Sequence, residues 1–321
     1  MGIISFIKSD KHIRKEKWEK FIARKKYAYN TNPSLLTRIK TEFFLLMHKQ
    51  ESIVIDGWLV RFYKRTNDCT GNWGDDINVW LIEVMTGKKV IPAKMLFFSS
   101  IRKKYCVIGT VIPSFVNNKT LIWGSGYGLE NVNMKRKPAK VLAVRGPMTR
   151  QYLLSQSVDC PAIFGDPALL LPKYYQPHVT TKKNKIGVVL HHRDWDVMGC
   201  AELARLQSEA LVIDLTRYER WTDVIDEICS CDLILSSSLH GLIVSDAYGI
   251  PNLFMEFCWK HGSHFKYQDY FSSVGKPWVE PLCFENRFDF DFLMSQAMEQ
   301  MKHVVIDTEM LELSCPFTLK Q

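Results

Sequence analysis

Four side chains able to move a proton or hold an anion fall at the ends of short apolar runs of this chain or in the loops beyond them: Asp75, Arg145, His191 and His240. His240 lies in DLILSSSLHGLIVSDAYGIPNLF, residues 232–254. Its apolar run 233–235 reads as a buried strand. Ser236, Ser237 and Ser238 form a polar turn, and the residues after Gly241 suit a helix stopped by Gly249. Such a turn sets hydroxyls, backbone N–H groups and an imidazole at a helix N-terminus, a place that favours phosphate or carboxylate. Serines that merely cap the helix, with a packed turn histidine, would look the same from this stretch alone.

The other candidates follow similar logic. Asn72 and Gly74 lead into Asp75 within NWGDDIN, residues 72–78. Gly74 permits a close approach, and Asp75 sits where a helix N-cap belongs. Its functional reading is a carboxylate that takes a proton from a substrate hydroxyl. Gly124, Ser125 and Gly126 form a glycine-rich turn that lets a ligand near the backbone, although it is no G-x-G-x-x-G fingerprint. Arg145, followed by Gly146 and a helix-opening Pro147, is suited to clamp an anion with forked hydrogen bonds; a surface salt bridge is the alternative. Asp166 precedes a proline, which restricts its backbone, and reads as structural. His191 and Arg193 close another strand. His191 and His192 would point opposite ways from that strand, and no carboxylate spacing completes a set, so no metal is expected.

These residues need elements to carry them. Strands are expected at 58–63, 107–112, 120–123, 141–144, 186–190, 211–215 and 233–235, alternating with helices at 76–86, 147–153, 200–209 and 218–230. Two such α/β series imply two doubly wound, Rossmann-like domains facing a cleft, with ligands at the carboxyl ends of the strands. The expected divisions are a basic helical extension at 1–50, an acceptor-side domain at 51–178, a donor-side domain at 179–300 and a tail at 301–321. A short helix at 264–270 would present Lys266.

Composition narrows the class. The apolar share of 46% and charged share of 24% are those of an ordinary globular chain. No apolar run of membrane-spanning length occurs, so no transmembrane helix is expected. Nine cysteines without CxxC spacing fit reduced thiols in the cytoplasm. The net charge of +8 points to an anionic partner or surface. Residues 8–26 concentrate lysine and arginine around Trp18 and Phe21, as in a helix lying on an anionic membrane or one docked by its aromatic face. No nucleic-acid-binding motif is present.

Taken together, NWGDDIN (72–78), WGSGYG (123–128), VRGPMTRQYL (144–153), GDPALLLP (165–172), IGVVLHH (186–192), SSSLHGLIVSDAYGIP (236–251) and FKYQDYFSSVG (265–275) resemble the polysaccharide pyruvyl transferases, especially their bacterial exopolysaccharide branch. The resemblance implies a fold similar to the two-Rossmann glycosyltransferases (GT-B-like). It also implies phosphoenolpyruvate as donor with no further cofactor, and a sugar diol as acceptor. That diol would belong to a surface polysaccharide or its undecaprenyl-linked precursor, and the product would be a cyclic pyruvate ketal. Asp75, Arg145 and His240 match the family's N-x-G-D aspartate, R-G arginine and L-H-G histidine. Arg145 and the turn at 236–238 would hold the donor, with His240 as acid and Asp75 as base; Gly241, Asn72, Gly74, Gly124, Ser125, Gly126 and His191 would line the substrates. Relatives in other branches often carry arginine two places before the histidine, whereas the exopolysaccharide branch tolerates serine. This chain has Ser238 there, so Arg193 and Lys266 become the candidate cations. The expected setting is cytoplasmic, peripheral to the inner face of the plasma membrane. A nucleotide-sugar glycosyltransferase or a non-catalytic glycan-binding module are the other readings of the same pattern.

Overall fold

The computed structural model describes residues 32–64, 71–130, 132–178, 184–284 and 287–320; the basic stretch 8–26 lies outside them. A helix, α1 (Leu35–Met47), precedes a first series of β1 (Ser52–Ile55), α2 (Trp73–Thr86), β2 (Lys89–Pro92), β3 (Lys104–Cys106), β4 (Thr120–Trp123), β5 (Lys140–Ala143) and α3 (Pro147–Ser155). The second series holds β6 (Asn184–Val189), α4 (His192–Val197), α5 (Cys200–Glu209), β7 (Leu211–Ile213), α6 (Trp221–Cys229) and β8 (Cys231–Ser236). It continues through α7 (Leu239–Ala247), β9 (Asn252–Glu256), α8 (Phe265–Ser273) and β10 (Leu282–Cys283), before α9 (Phe290–Met301) and α10 (Glu309–Leu313).

Each series folds into a five-stranded sheet, ordered β2-β1-β3-β4-β5 and β10-β9-β8-β6-β7. All the strand pairs are parallel. Taken in chain order within its own sheet, each winds as 2-1-3-4-5. The direction of winding therefore reverses between β1 and β3 in one sheet and between β6 and β8 in the other. At such a reversal the loops diverge and leave a crevice beyond the strand ends. The apolar runs that make this possible are short and continuous: Ile53, Val54 and Ile55 in β1, and Leu233, Ile234 and Leu235 in β8, are buried, as parallel strands covered on both faces require.

Two expected strands are not strands. Residues 58–63 form a loop with a 3-10 turn at Val60–Phe62; Leu59 and Tyr63 are buried at i, i+4 spacing while Trp58 is exposed, a helical rather than an alternating pattern. Residues 107–111 leave the sheet after Cys106. Val107, Ile108 and Val111 are buried, and Gly109 takes a φ of 106° that ends the extended run. The helices also start earlier than the capping pattern implies. Asn72, not Asp75, occupies the N-cap of α2, placing Asp75 in its first turn. Ser238 occupies the N-cap of α7, placing His240 inside the helix.

The two sheets share one hydrophobic core: Trp73, Ile77 and Leu81 of α2 pack in the same cluster as Leu215, Tyr218, Leu239 and Leu242. Polar bonds reinforce this junction. Gly71 N donates to Thr216 O at 2.9 Å and Trp73 N to Leu215 O at 2.9 Å, which satisfies an N–H that a helix start otherwise leaves free. Trp73 Nε1 donates to Trp221 O at 2.8 Å, and the Tyr218 hydroxyl donates to Asp76 Oδ2 at 2.5 Å. After α9 the chain returns to the first sheet, where Trp123 Nε1 donates to Leu311 O at 2.9 Å and Phe317 packs against Tyr105 and Trp123. Among the described residues no helix is long and apolar enough to cross a membrane.

Burial pushes the Asp76 carboxyl up to about 6, with the Tyr218 hydrogen bond as the strongest opposing influence. Tyr218→Phe keeps the ring under the Arg61 guanidinium, 4.2 Å away, but removes this buried donor. The expected loss is about 1–3 kcal/mol of stability, read as a lower urea midpoint with an unchanged m-value.

Candidate active site

A cavity of about 480 Å³ opens where the two winding reversals face each other. Asn72, Asp75, Gly109 and Thr110 contribute one wall, with Trp58, Leu129 and Val132 at its rim. His191, His192, Arg193, Ser238, His240 and Lys266 contribute the other. The first group follows β1 and β3, and the second mostly follows β6 and β8, so the topology delivers both sets to one place.

Asp75 is recessed in the first wall. Its Oδ2 accepts from Asn72 Nδ2 at 2.6 Å, and Asn78 Nδ2 holds its backbone carbonyl at 2.8 Å. Burial, then the neighbouring Asp76 charge, pushes its carboxyl up to about 7, against the pull of Asn72 and Lys266. Near neutral pH this group can therefore take or give a proton.

His240 meets Asp75's own turn. A Cβ built on Gly74 would lie on His240 Nδ1 and only 2.6 Å from Cγ, so the Nδ1 side of the imidazole packs against a helix start that has no side chain at this point. Burial, then the Arg145 and Lys266 charges, pushes His240 down to about 3. In this arrangement the ring is neutral, so the acid role that the resemblance implies for His240 needs a proton gained when substrate binds.

Arg145 stands behind the cavity rather than on its wall. It is fully buried; Nη2 donates to Asp269 Oδ2 at 3.2 Å and to Tyr127 O, and Nη1 reaches Thr110 Oγ1 at 3.4 Å. Asp269 also accepts from Thr149 N at 2.8 Å and Thr149 Oγ1 at 2.7 Å. The fork expected to grip an anion is thus occupied within the protein, and Arg145 acts on the cavity through its field. Gly124, Ser125 and Gly126 serve this arrangement. A Cβ on Gly126 would lie 2.7 Å from Arg145 Cζ, Ser125 Oγ donates to Cys106 O at 3.1 Å, and Gly124 has a φ of 93° against Pro167. None of the three lines the cavity.

The serine turn divides similarly. Ser236 Oγ donates to Val189 O at 3.1 Å and Ser238 O at 2.8 Å, while Ser237 Oγ donates to Asp194 Oδ2 at 2.7 Å and accepts from His191 N at 2.8 Å. Both hydroxyls are spent on shaping the turn, and only Ser238 faces the cavity. Gly241 packs beneath it, since a Cβ there would overlap Ser236 Oγ. His191 stacks on Trp259 with ring centroids 4.9 Å apart, and Arg193 lies over the same indole at 5.2 Å. Lys266, from the first turn of α8, makes no hydrogen bond or ion pair with a described residue and lies 4.9 Å over the Tyr267 ring. Burial, then the Arg145 charge, lowers it to about 8. An unpaired, desolvated cation at a cavity wall is a strong attractor for an anion.

Sequence reasoning missed Thr110, Trp58 and His192 as cavity residues, and read Asp166 as structural although its carboxylate stands behind His240, with Oδ2 4.0 Å from Nε2. Trp58 carried a signal, an aromatic beside Gly57 in a loop; Thr110 carried none. Gly74→Ala should displace the imidazole, since overpacking typically costs about 1–3 kcal/mol. A modest fall in melting temperature with a large loss of kcat is the expected outcome.

Comparison with known proteins covers much of this site. The sequence signature of the family described as polysaccharide pyruvyl transferase matches residues 95–256, about half the chain, including Thr110, Arg145, His191 and His240. A stretch of 194 residues, 58% of the chain, is 26% identical to an uncharacterized protein of Acanthamoeba polyphaga mimivirus, of which it covers 64%. A stretch of 191 residues, 56% of the chain, is 27% identical to the succinoglycan biosynthesis protein ExoV of Rhizobium meliloti (strain 1021), of which it covers 55%. With its paired parallel sheets and the cavity at their facing strand ends, the chain belongs to the polysaccharide pyruvyl transferase family.

Proposed function

We propose that this protein is a transferase that moves the pyruvate group of phosphoenolpyruvate onto two hydroxyls of a sugar, closing a cyclic ketal in a surface polysaccharide or its lipid-linked precursor. On this reading the two sheets have the GT-B-like arrangement. The observation that carries the proposal is the opposition of cavity walls: a carboxyl poised near neutrality, Asp75, faces positive charge from Lys266 and Arg193 that no described carboxylate pairs, with His240 beside them.

The donor's phosphate and carboxylate would lie against Lys266, Arg193 and the N–H groups opening α7, with the field of Arg145 behind them. The donor's negative charge offsets the two cations that hold His240 neutral, so donor binding raises its basicity and lets it carry a proton. Asp75 accepts the proton of the first sugar hydroxyl as that oxygen bonds to the central donor carbon. The electron pair of the donor's double bond takes a proton from His240, and the methylene becomes a methyl. The carbon–oxygen bond to phosphate then breaks, with its electron pair leaving on the phosphate, which departs with the proton held by Asp75. The second hydroxyl bonds to the same carbon and its proton returns to His240. Trp58 at the rim supplies an apolar face for the sugar.

Thermal stabilisation tests the donor. At about 100 times its dissociation constant a ligand adds roughly 2.7 kcal/mol to the folded state. Phosphoenolpyruvate should raise the melting temperature of the wild type and much less that of Lys266→Met. A shift with a UDP-sugar and none with phosphoenolpyruvate would replace this reading with glycosyl transfer.

Lys266 must be charged to hold the donor, so donor affinity should fall as pH rises through about 8. In the donor complex, where His240 carries its proton, Asp75 must be ionised to act as base, so kcat at saturating donor should climb as pH rises through about 7. Lys266→Arg should move only the loss of donor affinity to higher pH.

A further inference from the structure

Two buried atoms near the cavity have no hydrogen-bond partner among the described residues and face each other: Asp166 Oδ2 and His240 Nε2, 4.0 Å apart. The rest of the Asp166 carboxylate is anchored. Its Oδ1 accepts from Ala168 N at 3.0 Å, capping the 3-10 turn Pro167–Leu170, and the residue is fully buried. An acceptor left empty in a protein interior is costly. A cap needs only one of the two oxygens, so capping does not account for the other.

We infer that Asp166 is a positioning residue that selects the histidine tautomer: Oδ2 accepts the Nε2–H of His240, leaving Nδ1, on the Gly74 side of the ring, as the atom that exchanges protons at the cavity. The separation stands just beyond hydrogen-bond reach, and a ring shift of about 1 Å closes it to the usual N–H···O length. A single carboxylate behind an imidazole in this way fixes which nitrogen carries hydrogen and stabilises the ring when it becomes charged. The surrounding atoms leave few alternatives. His240 Cγ and Nδ1 lie against Gly74; Arg145 commits both Nη atoms to Asp269, Tyr127 and Thr110, and although its buried Nε has no partner among the described residues, no hydrogen bond joins it to Asp166, which feels only its charge. The chain thus supplies a gradient of roles along one line, with Asp166 at the back, the imidazole in the middle and the cavity in front.

The tautomer arm of the test does not depend on the reaction proposed above. Long-range ¹H–¹⁵N correlation spectra of histidine-labelled protein, with the His240 signals identified by their loss in His240→Gln, report the tautomer directly. The wild type should show hydrogen on Nε2 and a lone pair on Nδ1. Asp166→Asn, which can keep the Ala168 cap, should move His240 toward the other tautomer or a mixture. A wild-type spectrum with hydrogen on Nδ1 overturns the inference without any variant, and so does an unchanged tautomer in a folded Asp166→Asn protein. The kinetic arm rests on the transferase reading. With phosphoenolpyruvate, kcat of Asp166→Asn should fall about 10²-fold with KM for the donor nearly unchanged. If no phosphoenolpyruvate turnover exists in the wild type, the reaction falls while the tautomer result still decides the role of Asp166.

Discussion

The contact on which the site depends is the packing of two helix N-termini, one from each sheet, at Gly74 and His240. The start of α2 carries Asp75, and the start of α7 carries the imidazole. The two can share one cavity only because no side chain separates them, since a Cβ on Gly74 would overlap the ring. Around this point the backbone bonds from Gly71 and Trp73 to Thr216 and Leu215 and the Trp73 to Trp221 bond act as fasteners. They tie the loop after β1 to the loop after β7, so the distance between the Asp75 carboxyl and the imidazole is set by a packed core common to both sheets rather than by a hinge. A site that needs reacting groups held within a fraction of an ångström benefits from such rigidity.

The same packing accounts for the unusual charge states. Removing Asp75, His240 and Lys266 from water disfavours the charged form of each, and burial is the largest influence on all three. The carboxyl is pushed up while the imidazole and amine are pushed down, so the uncharged form of each gains ground. Arg145 adds to the last two effects from behind the wall, and its own charge is balanced by the fully buried Asp269. Its ion pair therefore works as a fixed element of the field. Replacing Asp269 alone would leave a buried guanidinium uncompensated, which is a larger loss than the pair's net contribution to folding.

Much of this plan was legible in the sequence. The alternation of apolar runs and helical stretches marks two α/β series, and Asp75, His191, Arg193, Ser238, His240 and Lys266 do converge on one cavity. What escaped has physical reasons. Leu59, Tyr63, Val107, Ile108, Val111 and Ile112 are buried without belonging to strands, and burial of loop residues leaves the same apolar signature as burial of a short strand. The hydroxyls of Ser236 and Ser237 look available in a sequence, yet they complete the turn's own hydrogen bonds. The fork of Arg145 was unreadable because its partner, Asp269, is distant in the chain and arrives only when α8 packs on Gly146, where a Cβ would overlap the Asp269 backbone. The position of Asp166 behind His240 is likewise a tertiary fact, since a residue before proline gives no sign of what its second oxygen faces.

The serine at 238 sharpens how the cavity obtains its positive charge. An arginine at that place would stand at the N-cap of α7, two residues before His240, and would remain charged at every physiological pH. With Ser238 the cap carries only hydroxyl and backbone donors, and the full charge comes instead from Lys266 on α8 and the exposed Arg193 after β6. A lysine differs from an arginine in kind here: it is a point charge that burial can bring into the physiological range, and this one is lowered to about 8. Asp75, facing it, is raised to about 7 and gains part of its acidity from the lysine. Each group therefore sets the state of the other, and neutralising the lysine with a bound anion would raise the basicity of Asp75. Placing the cation on a neighbouring helix rather than at the cap thus ties the basicity of Asp75 to the charge state of Lys266, a coupling that an arginine at 238 has no geometric reason to provide.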